Sequence, residues 1–329
     1  MTNKPFVIVS HTLPEPWLAK LYETCEVLVG PETAVTPALS PELEAQLHRA
    51  DGLMTMLTVR VDDALLARAS NLRVVSNMAV GTDNVDKAAC TARGIPVGNT
   101  PGVLTEGTAD LAMAILLAVA RRLPEASRDA REGRWTTWSP TGWLGADLNG
   151  ATLGIIGLGQ IGSAIAHRAR AFGLNIVYHN RSRSPEKEQA LNATWLPLPD
   201  LLAQSDFVMV STPLTPDTHH LINAAALQAM KPTAILVNIA RGPVVDSNAL
   251  LTALREGWIQ AAALDVTDPE PLPADHPLYA LPNCFITPHI GSAANGTRRA
   301  MAELAVENLL LGVQGERLKH CVNTAVYQP

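Results

Sequence analysis

The sequence predicts an α/β protein of two domains, each a doubly wound parallel sheet. Three observations predict it. Short apolar runs alternate with helix-like segments through most of the chain, the pattern of parallel strands joined by crossover helices. A length of 329 residues exceeds one such unit and suits two. The alternation also breaks twice, at Pro101-Gly102 and at Pro288, which divides the chain into parts.

Residues 6–99 supply the first set. Strands are expected at 6–10, 26–29, 52–56, 73–78 and 95–98. Between them lie helix-like segments at 14–24, 41–49 (after Ser40, a candidate N-cap), 61–69 and 85–93. Five strands in so short a stretch suit a small doubly wound domain of the flavodoxin-like kind. Pro101-Gly102 is a hinge candidate. The almost continuous apolar stretch 105–122 suggests a helix buried between domains or subunits. Pro124 marks a bend. Residues 131–149, REGRWTTWSPTGWLGADLN, hold three tryptophans among Gly, Pro and Ser. That spacing is not helical; it suits an ordered arm, about 123–149, packed against another surface.

A second α/β unit follows. Its six expected strands are 152–157, 175–180, 207–211, 235–238, 261–265 and 285–287, with helices at 200–204, 224–230 and 247–256. After Pro288, residues 296–311 have the pattern of an amphipathic helix. The forty residues from 290 hold no strand and cannot make a third domain. They are expected to return to the first, giving a discontinuous domain, 1–100 with 290–329, around a domain at 101–289.

Composition bounds the function. The chain is 47% apolar and 17% charged, unlike a disordered or coiled-coil protein. A net charge of −6 argues against nucleic acid as the main partner. Cys25, Cys90, Cys284 and Cys321 are scattered, with no CxxC or Cys/His cluster, so no metal site is expected. The N-terminal apolar run is too short for a signal-peptide core. The longest run, 111–120, is too short to span a membrane. A cytoplasmic protein with reduced thiols and no membrane partner is expected.

The most informative stretch is ATLGIIGLGQIG at 151–162. An apolar run leads into Gly157-x-Gly159-x-x-Gly162, then into SAIAHRARAFG, which has helical spacing, and then into a further apolar run. Strand, glycine turn, helix and strand form the context of a Rossmann-type dinucleotide-binding fingerprint. Gly157 permits the tight turn, Gly159 lets a pyrophosphate approach the backbone, and Gly162 lets the helix pack close. The helix start then offers N–H groups to phosphate. Such folds that bind NAD carry an acid at the end of the second strand, on the ribose hydroxyls. Here Asn180, Arg181, Ser182 and Arg183 stand there instead. A guanidinium and a hydroxyl suit the 2′-phosphate of NADPH, so NADPH is expected over NADH, with NADH still possible. A solvated basic loop would show the same residues.

Three polar residues stand at expected strand ends, where open α/β sheets bind ligands. Arg241 follows AILVNIA and matches a carboxylate in shape. An arginine capping a turn would fit the same position. Glu270 lies between prolines in DVTDPEP; a solvated loop acid is the alternative, and on position alone the favoured one. His289 lies in FITPHIGS, and histidine is the natural proton donor near neutral pH. A satisfied buried histidine is the alternative.

Taken together, GLGQIG at 157–162, VNIARGPVVD at 237–246, ALDVTDPEP at 263–271 and TPHIGS at 287–292 resemble the D-isomer-specific 2-hydroxyacid dehydrogenases. NMAVGTDNVD at 77–86 and TPGVLTEGTADL at 100–111 are similar to further blocks of that family. The resemblance implies that Arg241 binds substrate, that Glu270 pairs with the histidine, and that His289 is the acid/base. It implies a substrate site that includes Leu57, Val80 and Gly81. It extends the cofactor contacts to Thr108, Gln160, Ile161, Thr212, Pro213, Ile239, Ala240, Asp265 and Gly291, with Arg241 and His289 also near the nicotinamide. It further implies a homodimer and a cleft that closes.

Within the family the pattern is most similar to glyoxylate/hydroxypyruvate reductases, through the basic 180–182 site and WTTWSP at 135–140. In that likeness Trp138 limits substrate size from the partner subunit; a tryptophan buried within the arm is the alternative. Phosphite dehydrogenases carry a lysine where Val80 stands. The expected activity is reduction of small 2-oxo acids, glyoxylate or hydroxypyruvate first. Two kinds of alternative stand beside it: a reductase of 2-ketogluconate or a phenylpyruvate-type acid, and a non-catalytic NAD(H)-sensing corepressor. A 3-phosphoglycerate dehydrogenase is disfavoured by the absence of a regulatory domain after residue 312.

Overall fold

The computed structural model describes residues 4–32 and 38–328. The chain divides into two units, Met1–Leu104 with Ala294–Pro329, and Thr105–Ala293.

In the first unit, strands β1 (Phe6–Val9), β2 (Glu26–Val29), β3 (Gly52–Thr55), β4 (Val74–Asn77) and β5 (Val97–Gly98) alternate with helices α1 (Glu15–Thr24), α2 (Pro41–Gln46), α3 (Asp63–Arg68) and α4 (Lys87–Ala92). The sheet is wholly parallel, in the order β2-β1-β3-β4-β5, the flavodoxin-like arrangement. Asp62 and Asp86 cap α3 and α4 by accepting the N–H groups of Leu65 and Ala89. One sheet face buries Ile8, Leu53, Val75 and Val97 against Leu43, Leu47, Leu65 and Leu66. Each such side chain contributes roughly 1.5–3 kcal/mol on burial.

The second unit opens with α5 (Thr105–Ala120) and α6 (Leu123–Arg131). Pro124 lies in the first turn of α6, where its missing N–H costs nothing; the bend belongs to Arg122, at φ 53°. The rest of the unit is β6 (Thr152–Ile156), α7 (Gln160–Ala171), β7 (Asn175–His179), α8 (Pro185–Leu191), β8 (Ala193–Trp195), α9 (Leu198–Gln204), β9 (Phe207–Val210), α10 (Ala224–Gln228), β10 (Ile235–Asn238), α11 (Ser247–Glu256), β11 (Ala261–Leu264) and β12 (Cys284–Ile286).

Its parallel sheet has seven strands, ordered β12-β11-β10-β9-β6-β7-β8. That is one more than the sequence suggested. The extra strand, β8, has three residues and too little apolar pattern to register alone. Strand alternation sends Ile155, Tyr178, Met209 and Val237 to the face covered by α5 and α7. Ile156, Val208, Val210 and Leu236 face α9, α10 and α11. Helix α5 is thus part of its own unit's core. Arg168 on α7 ties it down through Glu106 and Asp110, at 2.6 and 2.7 Å.

The last helix, α12 (Asn295–Val313), packs on α1 and on β3 and β4 of the first unit. Two glycines make that contact possible. A Cβ on Gly312 would lie 2.4 Å from Val74, and one on Gly52 would lie 2.9 Å from Leu309 and Val313. The helix is buried on more than one side, so it is less amphipathic than its pattern implied. Fully buried Asn308 donates to Asn99 O and accepts from His320 N, which fixes the returning chain. Among the described residues, no helix is long and apolar enough to cross a membrane. No group of three or more His, Cys, Asp or Glu among them is placed to hold a metal ion.

Candidate active site

The glycine motif forms the turn from β6 to α7. Gly157 adopts φ +101°, and a Cβ there would lie 2.8 Å from the Ser211 carbonyl and from Thr212 N. A Cβ on Gly162 would lie 2.2 Å from Gly157 O. Both positions therefore require glycine for packing reasons internal to the unit. Gly159 differs: nothing lies within 4 Å of its notional Cβ. It is the N-cap of α7 and makes no side-chain cap, so the helix start that includes Gln160 and Ile161 is left for an external anion. The loop after β9, with Thr212 and Pro213, flanks this turn, and Ser211 Oγ donates to Gly157 O at 2.6 Å. Strands β6 and β9 are neighbours whose crossovers run opposite ways, the switch point where such sheets bind dinucleotides. An open glycine over an uncapped helix start fits a pyrophosphate.

Asn180 Oδ1 accepts the N–H of Leu158 at 2.7 Å, so this side chain pins the glycine turn. Arg181 is 91% exposed, with Asp217 at 4.0 Å, and Ser182 is exposed. Arg183 is engaged elsewhere: two hydrogen bonds, of 3.1 and 2.7 Å, join it to Glu188. That guanidinium, with the Tyr178 hydroxyl, holds the Glu188 carboxyl below its usual range.

Arg241, Glu270 and His289 follow three adjacent strands, β10, β11 and β12. Buried Asn238, the last residue of β10, donates to Arg241 O and accepts from Ala240 N, both at 3.0 Å. Arg241 Nη1 donates to Ala240 O at 2.8 Å. The next residue, Gly242, is in close contact with the Glu270 loop: a Cβ there would lie 1.9 Å from Thr267 O. Glu270 Oε2 accepts from Thr267 N at 3.3 Å, and the peptide bonds on either side of its Pro269 and Pro271 neighbours include two in cis, Asp268–Pro269 and Glu270–Pro271.

His289 Nδ1 and Glu270 Oε1 are 2.6 Å apart. The pair is partly open, with side-chain exposures of 25% and 33%, so it can reach a ligand. His289 itself has a left-handed backbone, φ 52°, uncommon outside glycine. Asp265, only 2% exposed, secures it. Its carboxylate accepts from Thr287 Oγ1, Ile290 N and Gly291 N at 2.7, 2.8 and 2.8 Å, while its carbonyl accepts from His289 N at 2.9 Å. A Cβ on Gly291 would lie 3.2 Å from Asp265 Oδ2 and 3.4 Å from Thr108, which is buried on α5. With Nδ1–H directed at a carboxylate, Nε2 is left for proton transfer, and the carboxylate stabilises imidazolium. Ile239 and Ala240 lead from β10 to Arg241.

In the first unit, Leu57 is half-buried beyond β3, and Val80 and Gly81 lie beyond β4. Asn77 Nδ2 donates to Gly81 O, and Asn99 Nδ2 to Val80 O, both at 2.9 Å. The carbonyls are thus occupied, while the N–H groups of Val80 and Gly81 have no acceptor among the described residues. A loop with that polarity suits an anion. Asn84 bonds to Asn77 and to the carbonyls of Met56 and Val59, which links this loop to the one bearing Leu57. Trp138 is 79% exposed, so it is not buried within the arm.

Sequence reasoning named the reacting groups but not their supports. Asn238 and Asn77 end apolar strands with a buried amide, the one visible sign of such a role. The anchoring use of Asp265 left no sign of its own.

A family model, D-isomer specific 2-hydroxyacid dehydrogenase, NAD binding domain, matches residues 113–291. A glyoxylate reductase of Thermococcus gammatolerans is 48% identical over 327 residues, 98% of this chain and 97% of that protein. The chain belongs to the D-isomer-specific 2-hydroxyacid dehydrogenase family. Solved structures of similar shape include a Thermus thermophilus protein, with TM-score 0.90 and 49% identity, covering 96% of this chain and 99% of that one. Another is an NADPH-dependent glyoxylate/hydroxypyruvate reductase of Sinorhizobium meliloti, in complex with NADP and malonate. Its TM-score is 0.84 at 35% identity, with 98% of each chain covered. As a D-2-hydroxyacid dehydrogenase, the chain is an oxidoreductase with a nicotinamide-binding domain.

Proposed function

We propose that this protein reduces small 2-oxo acids, glyoxylate and hydroxypyruvate first, to D-2-hydroxy acids, with NADPH as the preferred donor. The observation that carries the reading is the His289–Glu270 pair at 2.6 Å, on strand ends next to the one that bears Arg241.

When bound, the reduced nicotinamide supplies the hydride. His289 gives its Nε2 proton to the ketone oxygen as negative charge develops there, and Glu270, bonded to Nδ1, holds the ring so that Nε2 faces that oxygen. Arg241 pairs with the substrate carboxylate and stabilises the growing charge on the neighbouring oxygen. The N–H groups of Val80 and Gly81 are assigned as further carboxylate donors. Thr108, Gly157, Gly159, Gln160, Ile161, Gly162, Thr212, Pro213, Ile239, Ala240, Asp265 and Gly291 are assigned to the cofactor. Imidazolium and guanidinium together polarise the carbonyl, so that its carbon becomes the electrophile that accepts the hydride.

Arg181 and Ser182, both exposed and following an amide at 180 where NAD-binding folds place an acid, support the preference for the 2′-phosphate. The S. meliloti reductase, named as NADPH-dependent, is in keeping with it. Exposed Trp135, Trp138 and Leu144 support a homodimer in which the arm covers a second copy, with Trp138 reaching the partner's substrate. Four free thiols are in keeping with a cytoplasmic location.

The test is NADPH and NADH oxidation against glyoxylate, hydroxypyruvate, pyruvate and 2-ketogluconate. Fast turnover of the two smallest polar acids with NADPH is expected. Best turnover with 2-ketogluconate would move the substrate assignment, and equal use of NADH would remove the cofactor preference. Arg181→Ala should raise the KM for NADPH and leave that for NADH in place.

A further inference from the structure

The cations near the end of β7 are not equivalent. Arg183 is neutralised by Glu188, and Arg181 extends into solvent. A third cation, Lys187 on the first turn of α8, is half-buried and points back to the glycine turn. Its Nζ donates to Leu158 O at 2.6 Å. Leu158 is the residue between Gly157 and Gly159, and its N–H is the one that Asn180 accepts. One residue of the glycine turn is thus held from both sides, by an amide where NAD-binding folds place an acid and by an ammonium. Among the described residues, no carboxylate pairs with Lys187. An ammonium has three donors, and one is used on Leu158.

We propose that Lys187 is a specificity determinant for the 2′-phosphate of NADPH, its ammonium fixed beside the ribose end of the glycine turn. The proposal rests on the NADPH reading above and adds the residue that enforces it. A fixed, partly desolvated charge attracts phosphate more strongly than an extended side chain such as Arg181, because the cost of ordering it is already met within the fold. The same charge does little for a ribose that carries only hydroxyls. Lys187 therefore separates the two cofactors, rather than merely strengthening both.

The test is equilibrium binding to the whole protein of two probes, 2′,5′-ADP and 5′-AMP, which differ only in the 2′-phosphate. Wild type should favour 2′,5′-ADP. Lys187→Gln keeps a donor for Leu158 O and removes the charge; it should weaken 2′,5′-ADP about tenfold or more and change 5′-AMP by less than about twofold. Lys187→Arg should retain the preference. Raising the salt concentration should shrink the wild-type preference, and by more than it shrinks any preference that Arg181 maintains in the Lys187→Gln protein. Equal losses for both probes would reduce Lys187 to a prop for the turn and overturn the proposal. Retention of the full preference by Lys187→Gln would overturn it while sparing the NADPH reading. No preference in the wild type would overturn both.

Discussion

His289 Nδ1 and Glu270 Oε1 lie 2.6 Å apart, although 19 residues separate them and they follow different strands. Strands β11 and β12 pair in parallel, with Leu264 opposite Ile286, so the loops that leave them start side by side. The proline-bounded loop turns the carboxylate toward the ring, and Asp265 turns the ring toward the carboxylate.

Removing either partner should stop turnover without unloading the cofactor. His289→Ala should lower kcat by about 10²–10⁴-fold, the range of a lost general acid, and leave NADPH binding within a few-fold. Glu270→Gln should fall less, since the ring stays in place but loses its counter-charge. Steady-state rates beside fluorescence titration of NADPH separate the two effects. Near-wild-type turnover by His289→Ala at neutral pH would refute the proton-donor role.

Asp265→Asn should damage the site from beneath. Three donors converge on this buried carboxylate, and an amide cannot accept from all of them. One backbone N–H then faces an NH₂ group, at a cost of about 1–3 kcal/mol. The expected result is a lower unfolding midpoint together with a kcat loss larger than the KM change, since the Ile290–Gly291 segment that follows His289 loses an acceptor that fixes it. A change in KM alone would show that Asp265 acts only on ligand binding.

Gly242→Ala should disturb Arg241 and Glu270 together. The new methyl would meet Thr267 O at 1.9 Å, which is backbone and cannot swing away. Overpacking of this kind costs about 1–3 kcal/mol. Urea unfolding should report the loss, and kcat/KM should fall although neither reacting side chain has changed. Wild-type values for both would mean that the two loops move independently.

Acid stability should depend on Asp206. Burial works to raise its pKa, but the Lys231 ammonium at 2.7 Å and the Thr152 N–H at 2.8 Å outweigh it, and the net shift is downward. A depressed native pKa adds stability that is present above the ordinary value of 3.8 and is lost as pH falls through the lower native value. Lys231→Met should therefore move acid unfolding to higher pH, followed by circular dichroism from pH 7 to pH 2. An unmoved midpoint would mean that the ion pair contributes nothing.

Much of this architecture is legible in the chain itself, because its signals are local. Apolar runs give eleven of the twelve strands. Glycines at 157, 159 and 162 give the turn, and the residue types at 241, 270 and 289 give the chemistry. Strand β8 escaped because three residues carry almost no periodicity. The burial of α5 within its own unit escaped because an all-round apolar helix does not say which neighbour it covers.

What the sequence determined by itself is therefore composition and local order: the alternation of strands and helices, the glycine turn, and a list of polar groups at strand ends. Tertiary structure alone decided which of those groups meet and which are engaged elsewhere. Arg183 and Lys187 are both cations near one strand end, yet one is neutralised by Glu188 and the other is bonded to the glycine turn. The physical reason is that a charge acts over a few ångströms of space. Distance along the chain does not measure that separation; the sheet order and the direction each loop takes set it.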